Sequence, residues 1–380
     1  MSKKIERSGL RTWIEVDSKA LAHNYSEIKK NLSPKSVCMS VVKSNAYGHC
    51  LVDFAQEMQK LGIDWFGVDS MTEAISLRNN GITKPILVLG HTLPQMLQKA
   101  SDLDVSITVS TYELLTAIST TSFPKKIKIH IKVDTGMNRQ GFLESEIDTL
   151  IDTLQKKSEK VEGEGLFTHF AAAKNPAFPG RTLKQVAIFT TWIDAFKKAD
   201  HDPITHASAS GSAIVFSETH FDMVRIGFAL YGLWPSKEVE KSSSHRLLLM
   251  PILQWKTIIG EVKKIPKGSQ VGYDATETMN RESKIAICPI GYWHGYPRAL
   301  SSVGYVLVHG MRARVVGRVS MDMITIDVTD IDTVAVGDEV TLVGADGDET
   351  VSIEEIAELS DTSGYEMVTR INPLIKRLYF

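Results

Sequence analysis

Val41-Val42-Lys43-Ser44-Asn45-Ala46-Tyr47-Gly48-His49 puts a lysine at the end of an apolar, β-branched run, then a small-polar turn and a tyrosine. The run reads as a buried strand, and a lysine just past its C-terminal end sits where a parallel barrel keeps its reactive groups. Outward from it, short apolar runs alternate with amphipathic segments up to about residue 235. The candidate strands are 37–42, 64–68, 85–89, 105–109, 127–133, 161–167, 204–207 and 223–227. Helical patterns lie between them. Leu21, Tyr25, Ile28 and Leu32 recur at helical spacing within 18–32, with Ser18 as N-cap, and Val186, Phe189, Ile193 and Phe196 do so within 183–198. Strand–helix alternation repeated eight times predicts an α/β chain built on an N-terminal (β/α)8 TIM-like barrel.

The character changes after Trp234-Pro235-Ser236. Segment 237–246 is rich in Lys, Glu and Ser and reads as a linker. Beyond it a period of two dominates, at 253–262, 304–308, 312–316, 323–328 and 339–343, with one helical pattern at 352–359. The expected division is a barrel domain over 1–240 and a C-terminal, mostly antiparallel β domain over 241–380. A strand near 11–17 is expected to pack with the latter.

With 380 residues, 43% hydrophobic and 23% charged, the composition is that of an ordinary globular protein. A net charge of -2 argues against nucleic acid or an anionic membrane as partner. Three scattered cysteines suit neither a disulfide framework nor a zinc site, so no metal is expected and a reducing cytoplasm is the natural location. The start of the chain does not read as a signal peptide, and no apolar run approaches the roughly 18 residues of a membrane span.

Several motifs carry candidate chemistry. A lone strand-end lysine is most often a solvated one, but a desolvated amine there forms Schiff bases with aldehydes. In His130-Ile131-Lys132-Val133-Asp134-Thr135-Gly136-Met137-Asn138-Arg139, Lys132 shares a strand face with His130 and Asp134. Lys132 and Arg139 then meet with only Asp134 as an evident acid. Thr168-His169-Phe170 ends the sixth strand. His206-Ala207-Ser208-Ala209-Ser210-Gly211-Ser212 opens a helix after the seventh, in the region where barrels bind phosphate. Val224-Arg225-Ile226-Gly227-Phe228 ends the eighth. Gly291-Tyr292-Trp293-His294-Gly295, Gly317-Arg318-Val319-Ser320-Met321-Asp322 and Gly364-Tyr365-Glu366 lie in the β half.

Taken in order, these motifs resemble those of the alanine racemases, and the resemblance covers nearly the whole chain. It implies pyridoxal 5'-phosphate (PLP) as cofactor, bound to Lys43, with L- and D-alanine as substrate and D-alanine for peptidoglycan as product. Lys43 and Tyr292 are implied as catalytic bases on opposite faces of the substrate α-carbon. Tyr47, Arg139, His169, Ser210, Arg225, Gly227, Phe228 and Tyr365 are implied around the cofactor. Arg139, Met321 and Asp322 are implied around the substrate, and Lys132 as a carbamylated lysine holding Arg139. An arginine facing the pyridine nitrogen can only donate, which leaves that nitrogen unprotonated and favours a short-lived carbanion. A free tyrosine titrates near 10, so Tyr292 needs help as a base near neutrality, and a His169–Arg225 relay is the implied source. The family's sites are shared across a homodimer. Asn138 stands where the family often has glycine, and Trp293-His294 where it usually has Ala-Asp. Three other readings stand beside this one: a broader-specificity amino-acid racemase, a PLP decarboxylase of similar architecture, and a non-catalytic PLP carrier. The decarboxylase calls for an acidic partner to the pyridine nitrogen. The carrier lacks a β domain.

Overall fold

The computed structural model describes residues 7–380. The chain divides into two compact units. One comprises 20–46 and 51–251; the other comprises the described part of 1–19 together with 47–50 and 252–380.

Strand β1 (Thr12–Val16) belongs to the second unit. The next eight strands close the barrel: β2 (Val37–Val41), β3 (Trp65–Val68), β4 (Ile86–Val88), β5 (Ser106–Val109), β6 (Ile127–Lys132), β7 (Val161–Phe167), β8 (Ile204–Ala209) and β9 (Met223–Ile226). All pair in parallel in chain order, and β9 returns to β2 through the registers Val37↔Met223 to Ser40↔Ile226. The strands read as continuous apolar runs because both faces of a parallel barrel strand are covered. Met39, Trp65, Leu87 and Met223 fill part of the interior, flanked by Val37, Leu89 and Ile204. Further along the strands the inward positions turn polar. On β9 the period of two puts Arg225 on the same face as Met223, and on β6 it puts Lys132 with His130. All of His130, Lys132, His206 and Arg225 are buried.

One glycine is fixed by this packing. A Cβ on Gly165 of β7 would stand 2.2 Å from His130 Nδ1. Gly165→Ala is therefore expected to cost about 1–3 kcal/mol of stability. The check is a lowered urea midpoint, and an unchanged midpoint contradicts the close approach.

Two helix expectations need correction. Asp17, not Ser18, serves the start of helix Ser18–Asn31: its Oδ1 accepts the Lys19 N–H at 2.8 Å, and its charge suits the helix dipole. Segment 237–246 is not a linker but begins with helix Lys237–Ser243. Ser236 Oγ caps it by accepting from Val239 N–H, Glu238 and Glu240 occupy the first turn, Lys241 the last, and Val239 is buried.

The second unit is a ten-stranded sheet built on the order β11-β14-β17-β16-β15-β18-β10-β1-β20. Its strands are β10 (Leu253–Ile258), β11 (Glu261–Ile265), β14 (Ser283–Cys288), β15 (Tyr305–Val308), β16 (Met311–Val315), β17 (Ile324–Asp327), β18 (Glu339–Asp346), β19 (Glu349–Val351) beside β18, and β20 (Lys376–Tyr379). The small β12 (Gln270–Val271) and β13 (Glu277–Thr278) pair separately. Pairing is antiparallel except for β1 with β20. The single strand expected over 253–262 is broken at Ile259-Gly260, because β10 lies between β1 and β18 while β11 runs at the sheet edge on β14. Helix Ile353–Leu359 matches its pattern; helix Gly364–Arg370, capped by Ser363, was not anticipated.

Candidate active site

The barrel unit gathers Lys43, Lys132, Arg139, His169, Ser210, Arg225, Gly227 and Phe228 on segments at or just past the C-terminal ends of its strands. Lys43 follows β2 by two residues, and its Nζ lies 3.5 Å from Asp69 Oδ1. The residues after it are unusual. Ser44, Asn45, Ala46 and Tyr47 are all left-handed, with φ between 51° and 57°. For non-glycine residues each such conformation costs about 1–2 kcal/mol, and it persists only where the surroundings enforce it. Here Glu73 receives the Ser44 and Asp69 N–H groups at 2.7 Å each, Asn45 Oδ1 accepts from Leu51 N–H at 2.9 Å, and the Ala46 N–H donates to Val42 O. The residue types after Lys43 mark a small-polar turn, but nothing in them announces four successive left-handed residues.

Lys132 ends β6, with Nζ 3.0 Å from Gln140 Oε1 and 5.5 Å from the centre of the Phe167 ring. Burial first, then the positive charges of Arg139, Arg225 and Lys43, pull its pKa down to about 8. The acid expected between the cations is committed elsewhere. Asp134 Oδ1 accepts from the N–H groups of Gly136, Met137 and Asn138, and Oδ2 from that of Arg139, so its carboxylate is the hub of the loop. Asn138 takes φ 56°, a conformation open to asparagine as well as glycine, which accounts for the departure at this position.

Arg225 is buried and surrounded by acceptors. Nη1 donates to His206 Nδ1 at 2.7 Å; Nη2 donates to Ala207 O at 2.7 Å, Thr168 O at 2.8 Å and His169 Nδ1 at 3.2 Å. Burial lowers its pKa to about 9, which leaves the guanidinium charged at neutral pH. His169 is held neutral: burial and then the charges of Arg225, Arg139, Lys132 and Lys43 take it to about 3. Gln185 fixes the segment carrying it, donating to His169 O and Thr135 Oγ1 and accepting from Ala171 N–H. Ser210 opens helix Ser210–Val215, and its Oγ accepts from Gly227 N–H at 3.1 Å and Ala229 N–H at 3.4 Å. Ser210 and the N–H groups after β9 thus converge on one point.

The remaining expected residues lie in the second unit. The Tyr292 N–H donates to Ser320 O and the Trp293 N–H to Met321 O, both at 3.0 Å, so the Tyr292 and Met321-Asp322 motifs form one cluster. Gly291 permits this, since a Cβ there would meet Ser320 O at 2.2 Å. Tyr292, Trp293, Met321 and Met323 are all exposed. The departure Trp293-His294 divides in two: Trp293 points outward, whereas His294 is buried and accepts the Gly291 N–H on Nδ1. Asn372 closes the loop from behind, through Nδ2 to Trp293 O and N–H to His294 O. The rings of Tyr47 and Tyr365 stand 6.3 Å apart, and burial raises the Tyr47 pKa to about 12. Residues that the sequence left unassigned include Glu73, Gln140, Gln185 and the buried pair His130 and His206.

Comparison with known proteins accords with this arrangement. Residues 16–235 match the family model for the alanine racemase N-terminal domain, and 252–379 that for the C-terminal domain. The alanine racemase of Methanococcus maripaludis is 41% identical over 372 residues, spanning 97% of this chain and 98% of its own. That of Halothermothrix orenii is 40% identical over 384 residues, spanning 100% of this chain and 98% of its own. Among solved structures, alanine racemase from Bacillus anthracis, determined with bound L-Ala-P, superposes with a TM-score of 0.91 at 35% identity, covering 97% of this chain and 95% of its own. The chain belongs to the alanine racemase family, isomerases that interconvert the two enantiomers of alanine.

Proposed function

We propose that this chain racemises alanine by a PLP-dependent two-base mechanism in a homodimer with shared sites. Its place is the cytoplasm, where D-alanine serves peptidoglycan. The observation that carries the reading is the shell of Arg225: imidazole nitrogens and carbonyls, all acceptors, around a group that can only donate. Such a group suits an unprotonated pyridine nitrogen, and it disfavours the decarboxylase reading, which calls for an acid there.

The donor set fits PLP. Lys43 supplies an amine for the aldehyde. Ser210 Oγ with the Gly227 N–H, at the loops after the last two barrel strands, supplies a cradle for phosphate. When bound, the cofactor provides an electron sink for the pair left behind as the α-proton departs. Phe228 adds a backbone N–H beside the phosphate, and Tyr47 and Tyr365 add hydroxyls. Arg139 orients the substrate carboxylate, with Met321 and Asp322 of the partner subunit bordering it. Lys43 Nζ takes or gives the α-proton on one face, and the Tyr292 hydroxyl of the partner subunit does so on the other. His169 links that tyrosine to Arg225. The exposed cluster of Tyr292, Trp293, Met321 and Met323 supports the dimer, because an apolar group of this kind calls for a partner surface.

Lys132 is proposed to be carbamylated. With its pKa near 8, a substantial neutral fraction is available to CO2 at and above that pH, and the anion formed offsets Arg139 and Arg225. Incubation with 13C-bicarbonate is expected to give a carbamate carbon signal that strengthens as pH rises through 8 and is missing from Lys132→Arg. A signal unchanged in that variant rules Lys132 out.

The function is tested by NMR of the PLP-loaded protein with L-alanine in deuterated water, the enantiomers being resolved by chiral chromatography. L-serine, L-lysine and L-arginine run beside it. α-Deuterated D-alanine with little turnover of the others is the expected result. Faster turnover of another amino acid favours the broader racemase, and no exchange at all favours the carrier.

A further inference from the structure

Behind Arg225 a chain of polar groups runs through two buried histidines to the part-buried Glu164. Arg225 Nη1 lies 2.7 Å from His206 Nδ1, His206 Nε2 lies 2.8 Å from His130 Nδ1, and His130 Nε2 lies 3.1 Å from Glu164 Oε2. Ser106 Oγ donates to the same carboxylate oxygen, and Lys128 Nζ stands 3.8 Å from Oε1. Both imidazoles are fully buried and packed: His206 stacks on Phe167 at 4.6 Å with 3° between the planes, and the Trp65 ring meets His130 edge-on at 5.4 Å.

The direction of every hydrogen bond in this chain follows from its ends. Arg225 only donates, so His206 Nδ1 must accept and its proton sits on Nε2. His130 Nδ1 must then accept, and its proton also sits on Nε2. That proton needs an acceptor, and a carboxylate is one. Burial holds both histidines toward the neutral form, so each has one proton to place rather than two. The carboxylate at the far end is kept charged: burial opposes ionisation, but His130, Ser106 and Lys128 outweigh it. Were the His130 proton to move to Nδ1, either two donors would face each other across 2.8 Å, or His206 would move its own proton to Nδ1 and the Arg225–His206 bond would lose its acceptor.

We propose that Glu164 is a positioning residue for the reaction: through His130 and His206 it fixes the acceptor that holds the Arg225 guanidinium in a single orientation. The inference rests on reading Arg225 as the partner of the pyridine nitrogen. Hydrogen-bond acceptance at Glu164, rather than its charge, is the property that matters.

The test is long-range 1H–15N correlation on 15N-histidine-labelled full-length protein, with peaks assigned by single His→Gln variants. His130 and His206 in the unaltered protein are expected as neutral Nε2–H tautomers. Glu164→Gln, whose side-chain carbonyl still accepts from His130, is expected to keep both tautomers and most of kcat. Glu164→Leu is expected to move His130 and His206 toward Nδ1–H and to lower kcat roughly 10- to 100-fold with KM little changed. An Nδ1–H or doubly protonated ring in the unaltered protein overturns the proposal, whether or not Glu164→Leu folds. Unaltered tautomers in Glu164→Leu, or a Glu164→Gln as impaired as Glu164→Leu, overturn it as well. These spectra need no activity, so a failure of racemisation in the unaltered protein counts against the proposed function alone.

Discussion

Replacing Lys43 by alanine is expected to lower kcat for alanine racemisation by at least about 10³-fold. The loss is chemical rather than structural. Lys43 Nζ makes a 3.5 Å ion pair with Asp69, and both side chains are substantially exposed, so the pair contributes at most about 1 kcal/mol to stability. The left-handed turn after it is held by Glu73 and Asn45 and does not depend on the lysine side chain. Lys43→Ala is therefore expected to keep its circular dichroism and unfolding midpoint while losing turnover and covalent retention of PLP. Lys43→Arg is expected to be equally inactive, because a guanidinium is neither a usable nucleophile nor a base near neutrality. More than about a hundredth of the activity remaining in Lys43→Ala would remove the lysine from the mechanism.

Tyr292→Phe is expected to separate the two faces of the reaction. It removes one hydroxyl from an exposed ring on a loop fixed by backbone bonds to Ser320 and Met321, so the fold is preserved. Racemisation is expected to fall about 10²- to 10⁴-fold, the range for loss of a positioned general base. Deuterium entry at the α-carbon of one enantiomer persists, because Lys43 still serves its own face. The informative measurement is the ratio of deuterium wash-in to inversion, followed separately from L- and D-alanine. Equal loss of exchange from both enantiomers, or equal survival in both, contradicts the assignment of Tyr292 to one face.

The barrel was legible because parallel strands leave continuous β-branched runs, and all eight fell within a residue or two of their expected limits. The errors fell where local signals compete. Segment 237–246 has linker composition, yet a capping serine, acids in its first turn and one buried valine make its first part a helix. Strand 253–262 hides a change of partner, which a period of two cannot register. In the site, the residues proposed to act directly stood out by motif, whereas Glu73, Gln185 and Glu164 did not. They act by accepting or donating to backbone and rings from distant parts of the chain, and a proximity of that kind leaves no local pattern. Asp134 is the instructive case. Its motif was plain, but its main role, gathering four N–H groups, depends on how the loop folds over it.

Strand β1 precedes every barrel strand in the order of synthesis, and both its neighbours, β10 and β20, follow them all. At about 5–20 residues per second, roughly 10–50 s separate its synthesis from that of β10. The barrel strands are all made in that interval, while Trp13-Ile14-Glu15-Val16 waits as an unpaired, largely apolar edge. Such an edge invites the wrong partner. Its other neighbour, β20 (Lys376–Tyr379), is made later still than β10, so the sheet is finished only after β20 has been made. A chain cut short before β20 thus leaves β1 with one side bare, open to pairing with a strand of another molecule.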